Sequence, residues 1–70
     1  MEDRDIEKSY STKQNIQKLE RLIEALKNGR SFEIQVHNEK IKVPADAAFS
    51  IEHEREGDEE ELEFQFRWKR

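Results

Sequence analysis

The chain has 70 residues, enough for one small domain and too few for a second. Charged residues make up 43% of it, and 17 acids against 13 bases give a net charge of −4, which disfavours binding to nucleic acid or anionic lipid. There is no cysteine, so disulfides and thiolate metal ligands are excluded. An acidic N-terminal segment and the lack of any long apolar run predict a cytoplasmic protein without membrane contact.

Residues 5–10 alternate in polarity and form the first candidate strand. Ile6 and Tyr10 fall on the same side of that alternation, so we expect both to reach the core from a short edge strand. A frayed tail is the alternative that the sequence leaves open. Residues 1–4 and 69–70 are expected to fray in either case.

A helix is predicted from Ser11 to Asn28. Ser11 followed three residues later by Gln14 is a capping box, and Asn28 with Gly29 suits the left-handed conformation that ends a helix. The apolar residues inside it recur at spacings of three, four and seven, which gathers them into one stripe: Ile16, Leu19, Leu22, Ile23 and Leu26.

After the helix the apolar period changes to two, which predicts a hairpin between residues 32 and 43. We take Asn38 and Glu39 as the two central residues of its turn. That choice sets two apolar pairs opposite each other, Val36 with Ile41 and Ile34 with Val43. Pro44 has no amide to donate and ends the pairing, so residues 44–48 are expected to be a linker.

A second hairpin is predicted around a turn at Gly57 and Asp58. It pairs inward residues with inward residues: Phe49 with Phe66, Ile51 with Phe64 and His53 with Leu62. On the outer face the same register sets two like-charge pairs opposite each other, Glu52 with Glu63 and Glu54 with Glu61. Such pairs are mildly destabilising.

These elements predict an α+β domain of order β-α-β-β-β-β. The apolar face of the helix is expected to lie on one face of a four- to five-stranded antiparallel sheet whose other face is exposed to solvent. One helix does not cover five strands, so part of the apolar face is expected to remain open as a candidate interface.

The order of these elements resembles a known family. A Ser-started amphipathic helix, a short hairpin, a Val43-Pro44 junction, an acidic alternating strand from Ile51 to Gly57 and a closing strand from Glu61 to Trp68 are typical of the amphi-Trp domain. This small bacterial and archaeal family is named for its amphipathic strand ending in tryptophan. The likeness covers residues 5–69, practically the whole chain. It implies a fold and assigns no active site, cofactor or ligand.

Trp68 and its neighbours are the candidate interaction residues. The even number of Trp68 places it with Phe64 and Phe66 on the core side, whereas tryptophan is also enriched where proteins bind partners. Three cations surround it: Arg67, Lys69 and Arg70. His37 and His53 have no histidine or cysteine at ligand spacing, so both are expected at the surface or its boundary.

Nothing in the sequence predicts catalysis, a cofactor or a metal site. The acidic run from Asp58 to Glu61 lacks the spaced oxygen ligands and fixed glycine of a calcium loop, so a solvated face is the expected role. Serines lie outside any nucleophile context, and two glycines are too few for a phosphate-binding loop.

The function expected is therefore that of a non-enzymatic protein-interaction or structural module. Its partner is another protein or a second copy, and a homodimer would form through an exposed strand edge or through the incompletely covered apolar strip. The alternative is a nucleic-acid- or ligand-binding module that uses the basic C-terminal tail together with the basic residues of the helix.

Overall fold

A computed structural model of the chain describes residues 3–70, which form one helix and four strands. The elements are α1 (Thr12–Lys27), β1 (Phe32–Val36), β2 (Glu39–Val43), β3 (Ala48–Glu56) and β4 (Glu59–Arg67). Both strand pairs are antiparallel, so the predicted α+β class is confirmed. The fraying expected at residues 1 and 2 lies outside the described residues.

Both predicted ends of the helix are confirmed. The Gln14 amide donates to Ser11 Oγ at 3.2 Å and the Ser11 amide donates to Gln14 Oε1 at 3.1 Å, which completes the capping box. At the other end the Asn28 amide donates to the Glu24 carbonyl at 3.2 Å. Gly29 then takes a positive φ of 61°, the conformation that residues with a Cβ avoid.

The strands form two separate two-stranded sheets, β1–β2 and β3–β4, where a single sheet was predicted. Pro44 follows β2 directly and offers no amide for a further ladder. Ala47 donates to the Pro44 carbonyl at 3.1 Å, so residues 44–47 make a closed turn between the two hairpins. The chain therefore changes direction before β3 can pair with β2.

The predicted N-terminal edge strand is wrong, since residues 5–10 are irregular. This segment contacts the β1–β2 hairpin through side chains and not through a backbone ladder. Arg4 donates to the Val36 carbonyl and forms an ion pair with Glu39 at 3.1 Å. The Lys18 Nζ lies 4.5 Å from the centre of the Tyr10 ring. Tyr10 is half-buried as expected, whereas Ile6 is 46% exposed and does not reach a core.

The register of β1 and β2 differs from the prediction by two residues. The observed apolar pairs are Phe32 with Val43 and Ile34 with Ile41. His37 and Asn38 are the central turn residues, with φ of 47° and 66°. A two-residue turn of this type needs two positive φ angles, which asparagine tolerates and a central Glu39 would not. Each side chain nevertheless lies on the predicted face of the sheet, because side chains alternate with a period of two and the register shifts by two residues.

The register of β3 and β4 is the predicted one around Gly57 and Asp58. Ile51 lies opposite Phe64 and Phe49 opposite Phe66, and the like-charge pairs on the outer face are also present. The Gln65 amide group donates to Glu52 Oε2 at 2.9 Å and to Glu63 Oε2 at 2.7 Å. One neutral donor therefore bridges one of the repelling pairs.

The packed centre is small. Ala25 and Val43 are the buried apolar residues of the described chain, at 7% and 8% exposure. They border a cavity of about 40 Å³ where α1, β2 and the open end of the β3–β4 hairpin meet. Its other apolar lining residues include Leu22, Leu26, Phe32, Phe49 and Phe66.

Beside this cavity the helix also contacts β1 through a polar side chain. Arg21 donates to the Glu33 carbonyl and its guanidinium carbon lies 5.3 Å from the centre of the Phe32 ring. The expectation that the apolar stripe lies on a sheet is not confirmed for most of the stripe. Four stripe residues are about half exposed and only Leu22 is half-buried.

The chain exposes far more surface than a monomer of its size. Its accessible surface is 6538 Å². A folded monomer of 8.5 kDa is expected to expose about 4,700 Å², so the excess is roughly 1,900 Å². The radius of gyration is 13.6 Å, against about 11 Å expected for a compact chain of this length. Both quantities describe an open arrangement of helix and hairpins.

Replacing Ser11 by alanine removes the hydroxyl that accepts a hydrogen bond from the Gln14 amide, while the bond from the residue 11 amide to Gln14 Oε1 can still form. We expect Ser11→Ala to lower the free energy of unfolding by about 1 kcal/mol, because the Gln14 amide in the first turn loses its acceptor. Urea unfolding followed by circular dichroism, at one fixed protein concentration, measures the change. Ser9→Ala, in the irregular segment, is the matched control, and equal losses in both variants would contradict the role of the cap.

Candidate interaction surface

The β3–β4 hairpin carries an uncovered apolar face. Four residues of this "hairpin face" are exposed: Phe49 at 49%, Ile51 at 61%, Leu62 at 65% and Phe64 at 56%. At the open end the Phe49 ring stacks on Phe66, with ring centres 4.9 Å apart. The sequence predicted these residues as core. The alternation fixed their shared side but carried no signal for what covers that side.

The hairpin face ends at an ionic cluster near the turn. Glu60 Oε1 lies 2.8 Å from His53 Nε2 and 2.9 Å from an Arg55 Nη2. The hydrogen bonds from His53 and then from Arg55 lower the pKa of Glu60. His53 is thus on the predicted side of the strand and exposed, as expected of a boundary histidine.

The opposite face of the hairpin concentrates negative charge. Glu61 and Glu63 share that face of β4, and Glu61 lies opposite Glu54. A hydrogen bond with Glu63, together with the repulsion of that carboxylate, raises the pKa of Glu61 to about 7. The same hydrogen bond, and a second one from Gln65, lower the pKa of Glu63. Below about pH 7 the two carboxyl groups therefore share one proton.

A second uncovered apolar surface lies on the helix. Its four residues, here called the helix stripe, are Ile16 at 51%, Leu19 at 48%, Ile23 at 50% and Leu26 at 48% exposure. They follow the three- and four-residue spacing of one helical face, which points away from the Arg21 side that contacts β1. The molecule thus presents two apolar surfaces, which meet at the small cavity that Leu26 and Phe49 both border.

The predicted interaction residues at the C-terminus lie together. Strand β4 ends at Arg67, and Trp68 is 39% exposed, so it is not a core residue. Phe66, Arg67, Trp68 and Arg70 line a mainly apolar hollow of about 440 Å³, while Lys69 is exposed outside that lining. The tail therefore brings two cations to one aromatic ring at the open end of the hairpin.

A polar cleft of about 400 Å³ lies at the N-terminal side of the helix, between the irregular segment and the β1–β2 turn. Lys8, Tyr10, Lys18 and His37 are among its lining residues. The His37 Nε2 is 3.3 Å from the Glu7 carbonyl oxygen, and the side chain is exposed. The contact of the Lys18 ammonium group with the Tyr10 ring links the irregular segment to the helix.

Residues 3–70 contain neither a metal-binding cluster nor a membrane-spanning helix. No group of three or more acidic or histidine side chains there is placed to hold a metal ion. No helix in that part of the chain has the length and the apolar character needed to cross a membrane. The sequence matches no family model, and neither a curated protein nor a solved structure is detectably similar to it.

The raised pKa of Glu61 predicts a pH-dependent stability. Between pH 4.5 and about 7 the folded hairpin keeps a proton that the unfolded chain has released. The free energy of unfolding should therefore fall as the pH rises through this window. Glu61→Gln removes the titrating group, so we expect it to be more stable than the wild type at about pH 8 and to show a flatter pH dependence.

Thermal unfolding by circular dichroism at a series of pH values checks this, at constant protein concentration. Glu20→Gln makes the same charge change on the exposed helix surface and should keep the wild-type slope. A Glu61→Gln variant with the wild-type pH dependence would refute the shared proton.

Proposed function

We propose that the chain is a non-enzymatic protein-interaction module that self-associates through its β3–β4 hairpin. The excess of roughly 1,900 Å² of accessible surface over a monomer of this mass carries the proposal. A standard stable interface buries about 800 Å² on each partner, and permanent homodimers bury more. The excess is therefore the size that a permanent homodimer needs.

The chemistry of the exposed surface supports the same proposal. Monomeric proteins rarely expose contiguous apolar patches beyond a few hundred Å². Here the hairpin face alone presents two phenylalanines, one leucine and one isoleucine, each about half exposed or more. Aromatic and large aliphatic side chains of this kind are the usual anchors of protein interfaces.

Strand edges offer a second means of contact. Each hairpin is an isolated two-stranded sheet, so along residues 3–70 β3 and β4 each keep one edge outside the ladder. Unpaired amides and carbonyls on such edges accept another strand. Edge pairing between copies would also enlarge the sheet towards the four- or five-stranded one that the sequence predicts.

The resemblance to the amphi-Trp domain belongs to this proposal. The succession of helix, short hairpin and acidic hairpin along residues 12–67 supports membership of that family. Trp68, directly after the amphipathic strand, is then an anchor of the interface. Its exposed ring and the hollow beside it support that role.

Self-association is tested by light scattering and sedimentation at about 100 μM protein, a concentration at which an interface of this size is expected to be occupied. We expect the wild type to have twice the mass of one chain. Ile51→Lys buries a charge in the proposed interface, so the dimer dissociation constant should rise at least about tenfold. Circular dichroism shows whether the variant stays folded.

Ser50→Lys is the matched control, because it adds the same charge one residue away on the polar face of β3. It should leave the dimer intact. A wild-type chain that is strictly monomeric at this concentration overturns the proposed function.

The exposed Trp68 with Arg67, Lys69 and Arg70 favours a second candidate, the binding of single-stranded nucleic acid by ring stacking and phosphate contact. It predicts that a fluorescent oligonucleotide gains anisotropy at low salt and loses it as salt is added. Trp68→Ala should then weaken binding by about tenfold or more, as loss of one stacked base does. No anisotropy change at low ionic strength rejects this candidate.

A further inference from the structure

The two apolar surfaces of one chain do not cover each other. The open end of the hairpin reaches the helix, where Phe49, Phe66 and Leu26 border the same small cavity. Beyond that point the rest of the hairpin face and the helix stripe are both open to solvent. Each surface therefore lacks the layer that an amphipathic helix or sheet normally packs against.

We infer that the hairpin face of one copy packs on the helix stripe of a second copy, and reciprocally, around a two-fold axis. This inference rests on the proposed self-association and adds which surfaces meet. The reciprocal contact covers both exposed surfaces of both chains at once. A contact of hairpin face on hairpin face would leave both helix stripes in water.

The two surfaces match in length. The nine residues of β3 extend over about 30 Å, and the sixteen residues of α1 over about 24 Å. Along the hairpin the apolar residues stop at His53 and Leu62, before the charged turn. The apolar part of β3 from Phe49 to His53 therefore extends over about 13 Å, close to the roughly 15 Å of the stripe from Ile16 to Leu26.

Charge selects the direction in which the hairpin lies on the partner helix. The turn region from Glu54 to Glu61 contains Asp58, five glutamates and one arginine. The first turn of α1 has no acidic residue, and the helix carries Lys13 and Lys18 before its first acid at Glu20. Helix N-termini also carry positive partial charge. The acidic turn of one copy therefore lies over the helix N-terminus of the other.

This direction is compatible with two-fold symmetry. It places the open end of each hairpin near the C-terminal end of the partner helix, as well as near Leu26 of its own helix. Both open ends then lie close to the axis. Trp68 follows that end directly, so the axis is where its exposed ring becomes covered.

The absence of cysteine allows a direct test by site-specific cross-linking. Leu19→Cys and Leu62→Cys chains, one carrying a mass tag, are mixed at about 100 μM and treated with a short bismaleimide; a dimer of this interface size is occupied at that concentration. Because each chain has one thiol, every product joins two copies. We expect the helix-to-hairpin product to exceed both same-residue products. Ile23→Cys with Ile51→Cys provides a second, independent pair.

Gln17→Cys with Leu62→Cys is the control, since Gln17 lies on the opposite side of the helix from the stripe. An equal yield from this pair, or no helix-to-hairpin product in either stripe pair, overturns the inference. A dominant Leu62-to-Leu62 product also overturns it, while leaving the proposed self-association standing.

A second measurement uses no cross-linker. Leu19→Lys should raise the dimer dissociation constant at least about tenfold, as Ile51→Lys does, whereas Gln17→Lys should not. A Leu19→Lys chain that dimerises like the wild type overturns the inference even if Ile51→Lys is monomeric. A monomeric wild type would instead refute self-association itself.

Discussion

The arrangement of this molecule depends on the short turn between β2 and β3. Pro44 ends the β1–β2 ladder, and the Ala47 amide closes onto the Pro44 carbonyl at 3.1 Å. The long hairpin is therefore joined to the rest of the chain at its open end, where Phe49 and Phe66 meet Leu26. Beyond that joint the hairpin-face side chains of Ile51, Leu62 and Phe64 are each more than half exposed. The exposed hairpin face follows from this constraint.

Local rules predicted the elements because the signals that decide them lie within a few residues. The capping box needs only Ser11 and Gln14, and the second hairpin needs only a glycine-containing turn between two alternating segments. The predicted register of β1 and β2 was wrong because the turn between them has no glycine to mark its position. His37 and Asn38 supply the two positive φ angles, and histidine is a weak signal for that conformation.

What covers an amphipathic surface is not a local property. Leu62 and Phe64 both have even numbers, which predicts that their side chains lie on the same face of the strand. The spacing of the apolar residues from Ile16 to Leu26 likewise predicts that they lie along one face of the helix. Neither pattern tells whether the covering layer comes from the same chain. The same holds for Trp68. Its even number predicted a place in the core, whereas in the structure the side chain is 39% exposed and lines a hollow with two arginines.

The proposed assembly reconciles the arrangement predicted from the sequence with the open arrangement of the single chain. A helix on an antiparallel sheet is what the amphipathic patterns predict, and in the proposed dimer that layer forms between copies instead of within one. The chain by itself buries only two small or medium side chains well, Ala25 and Val43, among its described residues. Since so little apolar area is removed from water within one copy, most of the hydrophobic stabilisation would come from association. In the proposed dimer, folding and association would be coupled, because the partner would contribute the rest of the core.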